Sequence, residues 1–110
     1  MDIIITLPKD TKWEDYQKEL DKVVHKNEMM SFKIPTIPKK ANVGDKCYLC
    51  YNGFVVGYMI ICGFSNKKFI CSTTGNEYRG NFVERTGKFY KLDQKIPYKG
   101  FQGYRYYQPN

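Results

Sequence analysis

Lys46-Cys47-Tyr48-Leu49-Cys50-Tyr51-Asn52-Gly53-Phe54-Val55-Val56-Gly57-Tyr58-Met59-Ile60-Ile61-Cys62 decides the fold. Asn-Gly is the preferred two-residue hairpin turn, because both central residues accept positive φ. The turn joins a strand over Lys46–Tyr51 to a return strand over Phe54–Cys62. The return strand is almost wholly apolar, which predicts a central position with both faces buried.

Outward from the hairpin, Gly44-Asp45 turns the chain into its first strand. Before it, Phe32-Lys33-Ile34-Pro35 and Ile37-Pro38-Lys39-Lys40 form a proline-punctuated segment, read as a loop or edge strand, since a residue before proline avoids the helical region. Beyond the hairpin, further strands are expected at Lys68–Ser72, around Asn81–Arg85, at Lys88–Leu92 after the turn Thr86-Gly87, and at Gly103–Tyr107. At the start, Ile3-Ile4-Ile5-Thr6 reads as a short β-branched strand. Thr11-Lys12-Trp13-Glu14 has the capping-box pattern, with Thr11 as N-cap. It opens a helix over Lys12–His25 whose Trp13, Tyr16, Leu20, Val23 and Val24 make one apolar stripe for burial against a sheet. His25, the only histidine, falls where a cation suits the helix dipole. The expected class is α+β, mainly β: a small partly closed barrel with one N-terminal amphipathic helix packed on it, the whole of 1–110 forming a single domain.

Charge and aromatics divide unevenly along the 110 residues. Residues 1–30 carry a net −2, residues 31–110 a net +9 together with sixteen of the eighteen aromatics. A basic, aromatic-rich body suits nucleic acid, because cations displace condensed counterions while rings stack on bases. The same composition also serves an aromatic β core. No stretch approaches the ~20 apolar residues needed to span a bilayer, and the N-terminal residues lack the pattern of a secretory signal. A cytoplasmic location, with no membrane association, is the expectation.

Cys47-Tyr-Leu-Cys50 has CxxC spacing, and Cys62 and Cys71 follow. Residues three apart on a strand point to opposite faces, so Cys47 and Cys50 are read as plain thiols and no metal or other cofactor is expected. Motifs for a P-loop, a dinucleotide loop, a nucleophile elbow or a zinc protease are missing. The one weak catalytic candidate is Glu84, a carboxylate beside an apolar strand where desolvation would raise its pKa.

Gly44-Asp45-Lys46-Cys47-Tyr48, followed by the apolar strand containing Gly57-Tyr58, resembles the core pattern of the PUA-like superfamily, which includes ASCH, EVE and YTH domains. Gly87-Lys88-Phe89-Tyr90-Lys91-Leu92 and Gly100-Phe101-Gln102-Gly103-Tyr104-Arg105-Tyr106 are similar to the closing segments of small proteins of that kind. The resemblance spans roughly two-thirds of the chain. It implies a cleft between barrel and helix that binds RNA or a modified nucleotide. The ASCH signature GxKxxExR is absent, so no lysine or glutamate role is carried over from it. In that cleft Lys39 and Lys40 would meet phosphate, while Arg85, Lys88, Lys91, Lys95, Lys99 and Arg105 extend a positive track. Tyr98, Phe101 and Tyr104 would stack on bases and Gln102 would read a base edge. The expected function is a nucleic-acid-binding module without catalytic activity. The alternatives are a small amidohydrolase acting on a modified nucleoside, using Glu84, and a protein-interaction domain of phage or mobile-element origin, whose partner no motif identifies.

Overall fold

The computed structural model describes residues 1–70, 75 and 77–108, apart from the side chains of Phe69, Ile70 and Tyr78. In chain order the elements are β1 (Ile3–Thr6), α1 (Trp13–His25), β2 (Met29–Ile34), β3 (Lys46–Tyr51), β4 (Phe54–Ile70), β5 (Glu77–Thr86), β6 (Tyr90–Pro97) and β7 (Tyr104–Tyr106). The protein is thus mainly β with one helix. Asn52 and Gly53 take φ of 52° and 82°, as the hairpin between β3 and β4 requires.

β4 is the axis of the molecule. Its first half pairs with β3 on one edge and with β6 on the other, and its second half pairs with β5. The separate strands expected over Phe54–Cys62 and from Lys68 are therefore one strand of seventeen residues; Cys71 and Ser72 lie outside the described residues. Gly63, Ser65, Asn66 and the two lysines read as a break, yet antiparallel pairing to β5 carries the strand through them. A register shift between Ile61 and Gly63 leaves Cys62 as a bulge, which bends β4 where its partner changes. Nor is β4 buried on both faces throughout: Val55, Met59 and Ile61 are buried, whereas Val56, Tyr58 and Ile60 are half-buried.

The strand order is β2-β5-β4-β3-β1-β7, with β6 also on β4. β1 runs parallel to β3; every other pair is antiparallel. Among the described residues no ladder joins β2 to β7, so the sheet is open. Its two ends nevertheless approach through side chains: Thr36 Oγ1 and Tyr104 Oη are 3.1 Å apart, and Gly103, at φ 78°, lies against Pro35. β2 is an edge strand, one of the two readings of its proline-flanked sequence.

Helix α1 starts one residue later than the capping box predicts. Lys12 occupies the N-cap with no side-chain hydrogen bond, and the Thr11 carbonyl instead accepts a bond from Tyr51 Oη at 2.7 Å. The helix ends on Asn27, whose left-handed φ of 55° lets Glu28 N–H reach the Val23 carbonyl and Asn27 N–H the Val24 carbonyl. Tyr16, Leu20 and Val23 are buried while Val24 is exposed, so the apolar stripe is narrower than its sequence pattern. Tyr16 and Leu20 pack on Ile3, Ile5, Leu49, Met59 and Ile61 in the principal core. The opposite face of β1 and β3 buries Ile4, Tyr48 and Cys50 beneath Tyr58, Leu92, Tyr98, Phe101 and Tyr107. Many of the aromatics of the basic body are spent there, ring on ring at centroid separations near 5 Å. Among the described residues no helix is long and apolar enough to cross a membrane.

Candidate functional site

Two clefts combine aromatic walls with lysines. The first lies where the N-terminal turn of α1 meets β4 and β6. Trp13 stands 5.4 Å from Tyr51 and 5.2 Å from Phe89, the latter edge to face, and the three rings with Val56 line a cleft of about 590 Å³. Gln17, one turn beyond Trp13, brings an amide to the rim, and Lys91 and Lys95 on β6 bring two exposed ammonium groups. Each wall is held from behind. Tyr51 is anchored on the Thr11 carbonyl, Trp13 stacks on Tyr16 at 5.8 Å, and Phe89 lies directly over Gly57, where any side chain would collide with it.

The second cleft, of about 650 Å³, opens between the approaching ends of the sheet. Lys9 after β1, Lys33 on β2 and Lys99 after β6 surround it, with Phe32, Phe101 and Gln102 between them. The loop is fixed by Phe101 N–H donating to Thr6 Oγ1 at 3.2 Å and by the positive φ of Gly103.

The residues expected to form one positive track are therefore dispersed. Lys91 and Lys95 reach the first cleft, and Lys99 and Gln102 the second. Lys39 and Lys40 are exposed in the connection before β3 and line neither; the Lys40 backbone N–H donates to Tyr106 Oη. Lys88 is exposed with its ammonium 4.9 Å from the Tyr90 ring. Arg105 is exposed and lays its guanidinium 4.5 Å from the Phe101 ring. Tyr98 packs in the second core cluster, where its carbonyl accepts a bond from Cys50 Sγ, and Tyr104 is half-buried with its hydroxyl on Thr36. Both rings are half-buried against neighbouring side chains and line neither cleft.

Arg85 corrects the sequence reading most sharply. It is 1% exposed, because Val83 and Arg85 share the face of β5 that meets the helix. Its Nη1 donates to Tyr16 Oη at 3.3 Å and approaches Met59 Sδ at 3.4 Å; its Nε has no partner. Glu84, on the other face of β5, accepts from Lys67 at 2.7 Å and from Ser65 at 2.8 Å. Those two partners hold its carboxyl below the ordinary carboxylate range, the reverse of the desolvation expected for an acid catalyst.

Cys47 belongs to the principal core and Cys50 to the second cluster, so their thiols face opposite sides of β3, as the strand spacing predicts. Burial pushes Cys47 up to about 11, opposed only weakly by Arg85. Cys62 is half-buried on the bulge, whereas Cys47 and Cys50 are fully buried. Among the described residues no three acidic, histidine or cysteine side chains gather as a metal site. The sequence reading missed the Trp13 cleft by assigning Trp13 wholly to the core. The signal available was Gly57, a missing side chain in an otherwise apolar strand, which makes room for Phe89.

No protein-family model, curated protein or solved structure matches the chain.

Proposed function

We propose that this protein is a nucleic-acid-binding module that takes an unpaired base of a single strand into the Trp13–Tyr51–Phe89 cleft. The observation that carries this reading is the conjunction of three ring walls with Lys91 and Lys95 at the rim. Rings supply sequence-tolerant stacking on a base, and the lysines supply the phosphate contacts that accompany it. The Gln17 amide offers both a donor and an acceptor to a base edge. A groove of about 780 Å³ continues from the cleft along α1 through Gln17 and Phe89, where Asp21 stands against Lys88, so it offers a polyanion no excess of positive charge. RNA is preferred over DNA because of the resemblance to PUA-like barrels, and the curled, open sheet is compatible with a partly closed barrel of that type. Glu84 is placed poorly for the amidohydrolase alternative, since Lys67 and Ser65 both bond its Oε1 and hold the carboxyl in its ionised form.

Trp13 is the sole tryptophan, so its fluorescence reports on the cleft directly. Titration with uridine and adenosine monophosphates and with decauridylate RNA should change its emission saturably. Lys91→Gln/Lys95→Gln should weaken the RNA binding while leaving the melting temperature unchanged, both side chains being exposed. Absence of RNA binding at ~50 mM salt, where electrostatic affinity is high, would refute the proposal.

A further inference from the structure

We infer that the Lys9–Lys33–Lys99 cleft is a second, separate subsite, which holds successive phosphates of the strand whose base occupies the Trp13 cleft. This rests on the base-binding reading above and adds the path of the backbone. Three cations from three distant segments converge on one opening, and no acidic side chain lines it. The ion pairs among the described residues engage Lys67, Lys68, Arg79 and the N-terminal amine; none engages Lys9, Lys33 or Lys99. Three lysines without ion-pair partners thus border one opening, which raises the local potential for an anion. Their placement is partly preorganised. Lys99 directly precedes the loop that Phe101 N–H pins to Thr6 Oγ1, whereas the exposed Lys33 stem runs over Gly80 of β5 and must swing to reach a ligand in the cleft.

Three exposed lysines carried on three separate segments favour a chain of phosphates over one small ion. The lysines ring an open cleft of about 650 Å³ with no buried donor at its centre, so a lone phosphate would meet few of them together. A phosphodiester strand engages all three, each contact made intramolecular by the last. The two clefts flank the same connection between β1 and α1. Leu7, Pro8 and Lys9 border one, while Trp13 and the Tyr51 bonded to Thr11 border the other. One strand crossing that connection reaches both, and it leaves the groove along α1 untouched.

The experiment compares the parent with Lys9→Gln/Lys33→Gln/Lys99→Gln and with Lys18→Gln/Lys22→Gln, a control that removes exposed charge from α1. Decauridylate binding is measured by anisotropy across a salt series, and uridine monophosphate by Trp13 fluorescence. The triple variant should flatten the slope of log K against log salt by about 2 and lose roughly a hundredfold in affinity at 0.1 M salt, since each single-strand phosphate contact contributes about 0.7 to the slope. Its response to the mononucleotide and its melting temperature should match the parent, and the α1 control should keep most of the slope. Inorganic tripolyphosphate should compete decauridylate from the parent and have little effect on the residual binding of the triple variant. An unchanged slope in the triple variant, with RNA still altering Trp13 emission, would overturn this subsite and leave the base-binding reading intact. Saturable tripolyphosphate binding without RNA binding at ~50 mM salt would overturn the strand as the source of the phosphates. Failure of both RNA and mononucleotide to bind the parent would overturn the base-binding reading itself.

Discussion

Replacing Arg85 by methionine should make the protein more stable. The guanidinium is 1% exposed, its Nε–H has no acceptor, and no carboxylate among the described residues pairs with it. An unsatisfied buried donor costs about 1–3 kcal/mol, and the desolvated charge adds to that. Against this stands the 3.3 Å bond to Tyr16, long for a charge-assisted bond and worth roughly 1.5 kcal/mol. Methionine retains most of the apolar stem beside Met59 and Phe32, and Tyr16 Oη keeps its contact with Met59 Sδ. The balance favours Arg85→Met by about 1–2 kcal/mol, or roughly 4–8 °C in melting temperature for a domain of this size. Arg85→Ala should move the other way by about 1–3 kcal/mol, because the cavity outweighs the relief. Urea denaturation of the three proteins, with m compared to confirm that the unfolding surface is unchanged, measures both values. If Arg85→Met lost 2 kcal/mol or more, the guanidinium would have to be matched by a counter-charge and the reasoning would fail.

Gly57→Ala should destabilise by about 1–3 kcal/mol and also blunt the Trp13 response to nucleotides, since its methyl meets both the Phe89 ring and the Tyr90 carbonyl; parent-like stability and response together would show that Phe89 is not seated on Gly57. Thiol labelling followed by peptide mass spectrometry should find Cys62 modified before Cys47, whose labelling should await global unfolding because it is fully buried with its pKa at about 11; Cys47 reacting first would contradict its placement. Glu84 has its carboxyl held down by Lys67 and Ser65, so its contribution is present above its ordinary value of 4.5 and is lost as pH falls through the lowered one. Glu84→Gln should therefore be less stable than the parent at pH 7, with the difference closing under acid; a gap constant from pH 7 to pH 2 would be the contrary result.

Local chemistry announced much of this fold. The Asn52-Gly53 turn and the opposite facing of Cys47 and Cys50 on β3 follow from local chemistry, as does the Tyr16–Leu20–Val23 stripe. What local chemistry could not announce depends on distant partners. β4 passes through polar residues because β5 supplies its ladder, and the Thr11 carbonyl, just before the helix, accepts its bond from Tyr51 of β3. The sites divide on the same line. Lys91, Lys95, Lys99 and Gln102 were legible as candidates because they stand in a basic segment after β5, but their separation into two clefts required the curl of the sheet. Arg85 was misplaced by the habit of treating arginine as a surface residue. Its spacing from Val83 by two positions was the contrary clue.

The single long β4 has a consequence for how the chain acquires this structure. β5 and β6 lie end to end along it, both antiparallel, with register shifts at Ile61/Gly63 and Val55/Gly57, so this part can close as a zipper from its nearest residues, Ile70 against Glu77, outward to Phe54 against Pro97. β1 cannot join that way: it inserts between β3 and β7, with Ile3 opposite Tyr106 near the other end of the chain. Loop-closure entropy makes such a pairing late. In native-state hydrogen exchange the amides of β4 and β5 should then form the most slowly opening unit, and the β1–β7 pair should open first. Lys9 follows β1 and Lys99 precedes β7 at that seam, so the lysine cleft would sit over the most readily opened part of the molecule while the Trp13 cleft borders its most persistent strand.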